Sequence, residues 1–203
     1  TGRLRAALAR AGCVVDERPG NTEWLGGLRG GWDEHRRRFK KYERTVKNFS
    51  NKAARLGALE LREEVGTGPE LPAAAWRAYT ELHARGWKGP LREPMRGHRQ
   101  DLFGRLARLG WLRLFTLSVA GVPAAAIVWM RVGPVAVAYS TVYDVRLGAL
   151  SAGTILMWRA HEQLAREGPV GLFDYLPGRG PQKDQLGPER PALVTLEVRR
   201  RSL

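Results

Sequence analysis

The amino-acid sequence predicts an α/β fold: a mixed, mostly antiparallel central sheet flanked by helices. Three observations carry that expectation. Short apolar segments at 111–119, 124–132 and 135–143 are joined by Ala120-Gly121-Val122-Pro123 and Gly133-Pro134 turns, the pattern of an antiparallel meander. Residues 135–143, a small-residue turn at Ser151-Ala152-Gly153, a helical stretch to about Arg166 and an apolar run at 170–175 follow one another. That order is a crossover between two parallel strands. Amphipathic helical stretches precede the meander.

Taken in order, residues 3–11 (RLRAALARA) have helical character, and Cys13 to Val15 form a short strand. Pro19, Gly20 and Asn21 mark a break. Trp32, Phe39, Tyr42, Val46, Phe49, Ala53 and Leu56 recur at steps of three, four and seven, one face of an amphipathic helix, and Gly57 fits its C-cap. Leu59, Leu61 and Val65 alternate with Glu60 and Glu64, as in a half-buried strand. After a loop, residues 73–86 form a helix with Trp76, Tyr79 and Leu82 inward, broken by Trp87-Lys88-Gly89-Pro90. A second helix at 96–109 turns Leu102, Phe103, Leu106 and Leu109 inward and Arg99, Arg105 and Arg108 outward. Beyond the meander and crossover, 182–186 reads as a helical turn and 192–198 as a last strand.

With 203 residues, the chain is long enough for one domain with a sizeable core. The longest apolar run, Val119 to Met130, is interrupted by Pro123 and falls short of the roughly 18 residues of a membrane span, so no transmembrane segment is expected. The single cysteine, Cys13, excludes an internal disulfide and a cysteine-cluster metal site. No histidine pair has metal spacing, so no metal is expected. The absence of a secretory signal pattern at the start suits a cytoplasmic setting. The net charge of +14 is concentrated: residues 36–55 hold nine Lys/Arg against a single acid, Glu43. Such a segment attracts polyanions, whether nucleic acid, phosphorylated cofactors or anionic headgroups.

The crossover holds the residues best suited to chemistry. Free amides and the helix dipole at the turn Ser151-Ala152-Gly153-Thr154 favour phosphate, and Ser151 can cap the helix; an ordinary N-cap after a loop has the same pattern. Tyr139 and Tyr143 fall on one pleat face, where either hydroxyl could deliver a proton or simply tie down a packed ring. Asp144 ends the same strand, as a proton acceptor or a plain turn residue. Asp174 follows the apolar Leu172-Phe173; a carboxylate beside a buried aromatic can have a raised pKa and act as a base, and a strand-end Asp bonded to its loop is equally ordinary. No nucleophile elbow, phosphate loop with Lys-Ser/Thr or dinucleotide fingerprint is present.

In this order, the residues resemble the GNAT-type N-acyltransferases, and more narrowly their CelD-like branch, related to the Fem-type aminoacyl transferases. Four stretches carry the resemblance: FKKYERTVKNFSNKAARLGALELRE from Phe39, HARGWKG from His83, YDVRLGALSAGTIL from Tyr143 and FDYLPGRGPQKDQLG from Phe173. It implies transfer of an acyl group from coenzyme A, as acetyl-CoA or another acyl-CoA, to a small-molecule amine by direct attack. It implies a diphosphate held at Ser151, Ala152, Gly153 and Thr154, and a thioester in a gap between 138–144 and 172–175. Asp174, Tyr143 and Asp144 are then the catalytic candidates, and Trp87, Lys88, Tyr139 and Lys183 the acceptor-binding ones. Residues 1–20 become an N-terminal extension or the remnant of an upstream lobe, and 21–203 the acyltransferase domain. The basic helix at 36–55 suits two other donors: an acyl carrier protein, or the aminoacyl-tRNA of the Fem-type relatives.

Overall fold

The computed structural model describes residues 2–11, 13–22, 25–27, 31–65, 70–168, 170–177, 185–186 and 192–200. In chain order these form α1 (Gly2–Arg10), β1 (Cys13–Thr22), β2 (Leu25–Gly27), α2 (Gly31–Arg38), α3 (Lys40–Ala54), β3 (Leu59–Val65), α4 (Ala73–Arg85) and α5 (Met95–Arg108). There follow β4 (Leu112–Val119), β5 (Val122–Val132), β6 (Val135–Tyr143), a 3-10 turn at Val145–Leu150, α6 (Ala152–Arg166), β7 (Leu172–Asp174) and β8 (Ala192–Arg200). Six strands make one sheet in the order β2-β7-β6-β5-β4-β3. Every neighbouring pair is antiparallel except β6 and β7, which the α6 crossover makes parallel. The mixed, mostly antiparallel α/β class expected from sequence is the fold observed.

Strand β5 lies at the centre because its residues are apolar on both faces. Ile127 and Trp129 pack with Phe115 and Leu117 of β4 against α3 and α6. Ala126 and Val128 pack with Leu112 and Leu114 against α4 and α5. Each large side chain so buried contributes about 1.5–3 kcal/mol, and two helical layers need both faces of this strand. Helix α6 is pinned at its C-terminal end by Glu167, which accepts from Arg113 Nε (3.1 Å) and Arg131 Nη1 (3.0 Å). Lys52 Nζ of α3 donates to the carbonyl of Ala149 (3.1 Å), just ahead of α6.

Several expectations are corrected. The amphipathic stretch is two helices, not one: Phe39, at φ −109° and ψ 31°, interrupts it, and Arg36 reaches past the kink to Glu43 (2.6 Å). Tyr42, Val46 and Ala53 are buried as the periodicity requires, yet Leu56 is 60% exposed because α3 ends at Ala54. Gly57 is not the C-cap, a place Arg55 takes. Its φ of +149° and an added Cβ only 2.5 Å from Ala120 Cβ make it a tight passage beside the β4–β5 turn. Pro19-Gly20-Asn21 is no break. Strand β1 runs through it, with a register irregularity between Pro19 and Thr22, and pairs with β8 in a separate two-stranded sheet. Strand β2 was not anticipated, since Leu-Gly-Gly has little intrinsic strand preference. Among the described residues, no helix is long and apolar enough to cross a membrane, and no group of three or more His, Cys, Asp or Glu could hold a metal.

The α3/α6 side of the core buries two histidines. His161 is fully enclosed; its Nδ1–H donates to the carbonyl of Met157 (2.6 Å), and its Nε2 accepts from the Tyr175 hydroxyl (2.8 Å). His35, 6.1 Å from it between ring centroids, has no hydrogen-bond partner at either nitrogen among the described residues. Burial lowers His161 to about 3 and His35 to about 4, with the Arg38 charge adding to the second. Both rings are therefore neutral when folded. An unfolded histidine titrates near 6.5, so below that pH the unfolded chain binds protons that the folded chain refuses. Stability should be fully present above pH 6.5 and fall as pH drops toward 4, by on the order of 2–3 kcal/mol for each imidazole. Urea unfolding between pH 7 and 4 measures this slope. His35→Leu, which breaks no hydrogen bond, should remove about half of it; a slope unchanged in that variant would contradict the assignment.

Candidate active site

Strands β6 and β7 pair only at Val135–Leu172, Ala136–Phe173 and Val137–Asp174. Strand β7 stops there because Asp174 Oδ1 accepts from the amide of Leu176 (2.7 Å), Leu176 takes a φ of +59°, and the buried Tyr175 ring is drawn inward to His161. Residues 138–143 of β6 thus run on with no β7 partner. An unpaired strand edge inside a sheet is open to any group able to hydrogen-bond along it.

A bulge marks the parting. Val128 lies opposite Ser140 and Trp129 opposite Ala138, leaving Tyr139 as the extra residue. It reverses an expectation: Tyr139 packs on the α4/α5 side, 5.9 Å edge-to-face from Phe103, while Tyr143 packs on the α6 side. The two tyrosines lie on opposite faces. Neither hydroxyl makes a hydrogen bond among the described residues.

Asp144 has a structural occupation. Its side chain is fully buried and caps the 3-10 turn by accepting from the Arg146 amide (3.0 Å). Both oxygens also receive the Arg146 guanidinium, and Arg85 Nε stands 3.4 Å away. The Arg146 hydrogen bonds hold its carboxyl below the usual carboxylate range, against the opposing effect of burial. The geometry is that of a turn aspartate, not of a base poised to collect a proton.

Ser151 does not cap α6 with its side chain. It sits in the left-handed region (φ 49°, ψ 44°), and its carbonyl accepts from the amides of Thr154 (2.8 Å) and Ile155 (3.2 Å). Ala152 is only 3% exposed, and Gly153 is buried, so their small size is demanded by the core as well as by any phosphate. The first-turn amides of Ala152 and Gly153 still have no partner within the helix. Thr154 is half-buried.

On the α4 side, Trp87 is 65% exposed, with Lys88 Nζ 5.3 Å from its ring centroid. Helix α4 reaches β6 at Gly86, where an added Cβ would lie 3.0 Å from the Tyr143 carbonyl. Asp174 is half-buried, its Oδ2 unengaged among the described residues. Lys183 lies outside the described residues. The nine Lys/Arg of 36–55 are all exposed.

Sequence reasoning passed over a buried network between α4, α5 and β6. Arg99, expected to face outward, turns in: its Nη1 donates to the Tyr79 hydroxyl (2.5 Å) and to His83 Nε2 (2.9 Å). Tyr79 donates to Ser140 Oγ (2.9 Å), and His83 Nδ1–H donates to the Gly89 carbonyl (3.0 Å). Burial, with smaller effects from Arg99 and Lys88, lowers the His83 pKa and keeps the ring neutral. The one-turn spacing of Tyr79 and His83 on the inward face of α4 was the available signal.

The fold has counterparts among solved structures. The C-terminal domain of a putative lysylphosphatidylglycerol synthetase from Agrobacterium fabrum superposes with a TM-score of 0.63 at 12% identity, over 97% of this chain and 64% of that one. L-PGS from Bacillus licheniformis gives 0.61 at 12%, over 98% and 65%. A tandem GNAT protein from the clavulanic acid biosynthesis pathway gives 0.51 at 16%, over 98% and 59%. These likenesses are of fold, and the chain spans just under two thirds of the first two. No curated protein matches the sequence. Residues 40–184 match the family model described as the acetyltransferase (GNAT) domain. That match takes in the parting strands, the bulge and the α6 turn, and the chain belongs to the GNAT acetyltransferase domain family.

Proposed function

We propose that this chain moves an acyl group from acyl-CoA to a small-molecule amine by direct attack, and that it falls in the CelD-like branch related to the Fem-type aminoacyl transferases. The observation that carries the reading is the edge of β6 from Ala138 to Tyr143, which has no strand partner on the β7 side among the described residues, one short turn ahead of α6. Acyl-CoA, when bound, supplies an activated thioester. The residues present fit it. The β6 edge offers alternate amides and carbonyls to an extended amide-bearing arm. The first-turn amides at Ala152 and Gly153, the helix dipole and the Lys52 ammonium beside Ala149 favour a diphosphate.

Tyr143, at the end of that edge, donates a proton to the departing sulfur through a hydroxyl that no described residue engages. Asp174, at the far side of the parting, takes the amine proton through Oδ2. Trp87, Lys88 and Tyr139 line the acceptor side, and Lys183 binds the acceptor. Asp144 positions Arg146 and the turn and takes no proton. A second reading concerns the donor. The nine exposed basic residues of α2, α3 and Arg55 favour an acidic acyl carrier protein, or an aminoacyl-tRNA, as its bearer. We place the chain in the cytoplasm, where either donor would be available.

Two outcomes test the reading. Gly148 sits in the 3-10 turn with open space where a Cβ would go. Gly148→Glu should therefore fold normally and lose most of the coenzyme-induced rise in melting temperature, about 5 °C at saturation, whereas Gly148→Ala should keep it. Equal coenzyme responses in all three proteins would remove the diphosphate assignment. Tyr143→Phe should lower kcat on the order of 10²-fold with little change in coenzyme affinity or melting temperature. Unaltered kcat in that variant would take the proton donor elsewhere.

A further inference from the structure

The Arg99 network is more than packing. A guanidinium has five N–H groups and cannot lose its charge inside a protein. Nη1 spends both of its hydrogens, on Tyr79 and His83. Both partners are neutral, and both are almost wholly buried. Nε is buried and has no hydrogen-bond partner, and Nη2 makes no hydrogen bond among the described residues. Among those residues no carboxylate lies within salt-bridge distance of Arg99. A partly buried charge without a counter-charge is destabilising unless something outside the chain supplies one. Nη2, which is not among the buried unpartnered atoms, is the accessible nitrogen and can give a carboxylate a charge-assisted hydrogen bond, with the buried Nε behind it.

The location gives that edge a use. Tyr79 ties Arg99 to Ser140, next to the bulged Tyr139, and the α5 residue Phe103 packs on Tyr139 one turn beyond Arg99. His83 ties it to Gly89, in the segment after Trp87 and Lys88. Arg99 therefore stands behind the first residues of β6 beyond the parting, on the side away from α6.

We propose that Arg99 binds a carboxylate carried by the acceptor amine, so that the acceptor is of the amino-acid class, with Tyr79, His83 and Ser140 as positioning residues that fix the orientation of the guanidinium. The proposal rests on the acyltransferase reading for what the bound amine does, but not for the binding itself.

The test uses the full chain and a panel of free amino acids, each beside its carboxamide and its decarboxylated amine. Thiol release from acetyl-CoA and melting temperature are both read. Free acids should be acylated, with KM rising about 30-fold for the carboxamide, as the loss of one charge-assisted hydrogen bond implies. Arg99→Gln should raise KM by a similar factor for the free acid and hardly at all for the carboxamide. Its melting temperature without ligand should be unchanged or higher, because an uncompensated charge is gone; Arg99→Lys should recover only part of the affinity. If no amine is acylated, stabilisation by free amino acids in the wild type and not in Arg99→Gln still supports the site. Coenzyme A then decides separately, since its failure to stabilise either protein counts against the acyltransferase reading alone. The proposal is overturned if carboxamides serve as well as acids, if Arg99→Gln shifts both alike, if it melts several degrees lower with the carboxylate response intact, or if no free acid is acylated or stabilises the wild type.

Discussion

Three residue pairs hold β6 to β7, and the chemistry we propose depends on there being no fourth. Val137 and Asp174 make the last pair. Past it, the Asp174 turn and the pull of Tyr175 toward His161 take β7 away, while β6 stays bound to β5 on its other side. The sheet is split by competition between two sets of hydrogen bonds: the ladder, and the aspartate turn with a buried tyrosine behind it. A backbone edge deep in a domain is normally paired. Leaving one open is tolerable where a ligand or water completes it.

The two sides of that split are built from different material. On the α6 side, buried aromatic rings and two neutral imidazoles surround Phe173 and support the departing strand. Several of their donors, including Trp129 Nε1 and the Tyr42 hydroxyl, lack a partner among the described residues. On the α4/α5 side neutral hydroxyl and imidazole groups hold one guanidinium, and the bulge at Tyr139 lets β6 present Ser140 to them. One extra residue in one strand thus decides which hydroxyl meets which chemistry.

Much of this was legible in sequence. The meander, the crossover and the inward face of α4 follow from apolar period and turn chemistry, which act locally; on α5 Phe103 and Leu106 are buried as expected, but Leu109, at the helix end, is 58% exposed. Strand β6 was placed to the residue; the resemblance put the gap between 138–144 and 172–175, and its β6 side agrees, but Leu172–Asp174 pair with Val135–Val137 rather than border it. What escaped notice depends on partners distant in the chain. The bulge is a matter of register against β5, which no local pattern encodes. Leu25-Gly26-Gly27 is a strand only because β7 is beside it. The kink at Phe39 lies within an unbroken apolar stripe, so periodicity passes over it. Ser151 is at the turn as expected, but its backbone conformation denies it the cap. Arg99 resembled any arginine on the polar side of a helix until Tyr79 and His83 were seen to face it.

The ribbon of β1 and β8 has a kinetic corollary. It joins residues from the two ends of the sequence, Cys13 opposite Arg200 and Val15 opposite Val198. Its pairing closes the widest loop in the molecule, and the entropy of that closure must be met before any ladder bond forms. The meander, whose strands are neighbours in sequence, has no such delay. Loop closure alone would therefore have the ribbon assemble after the meander.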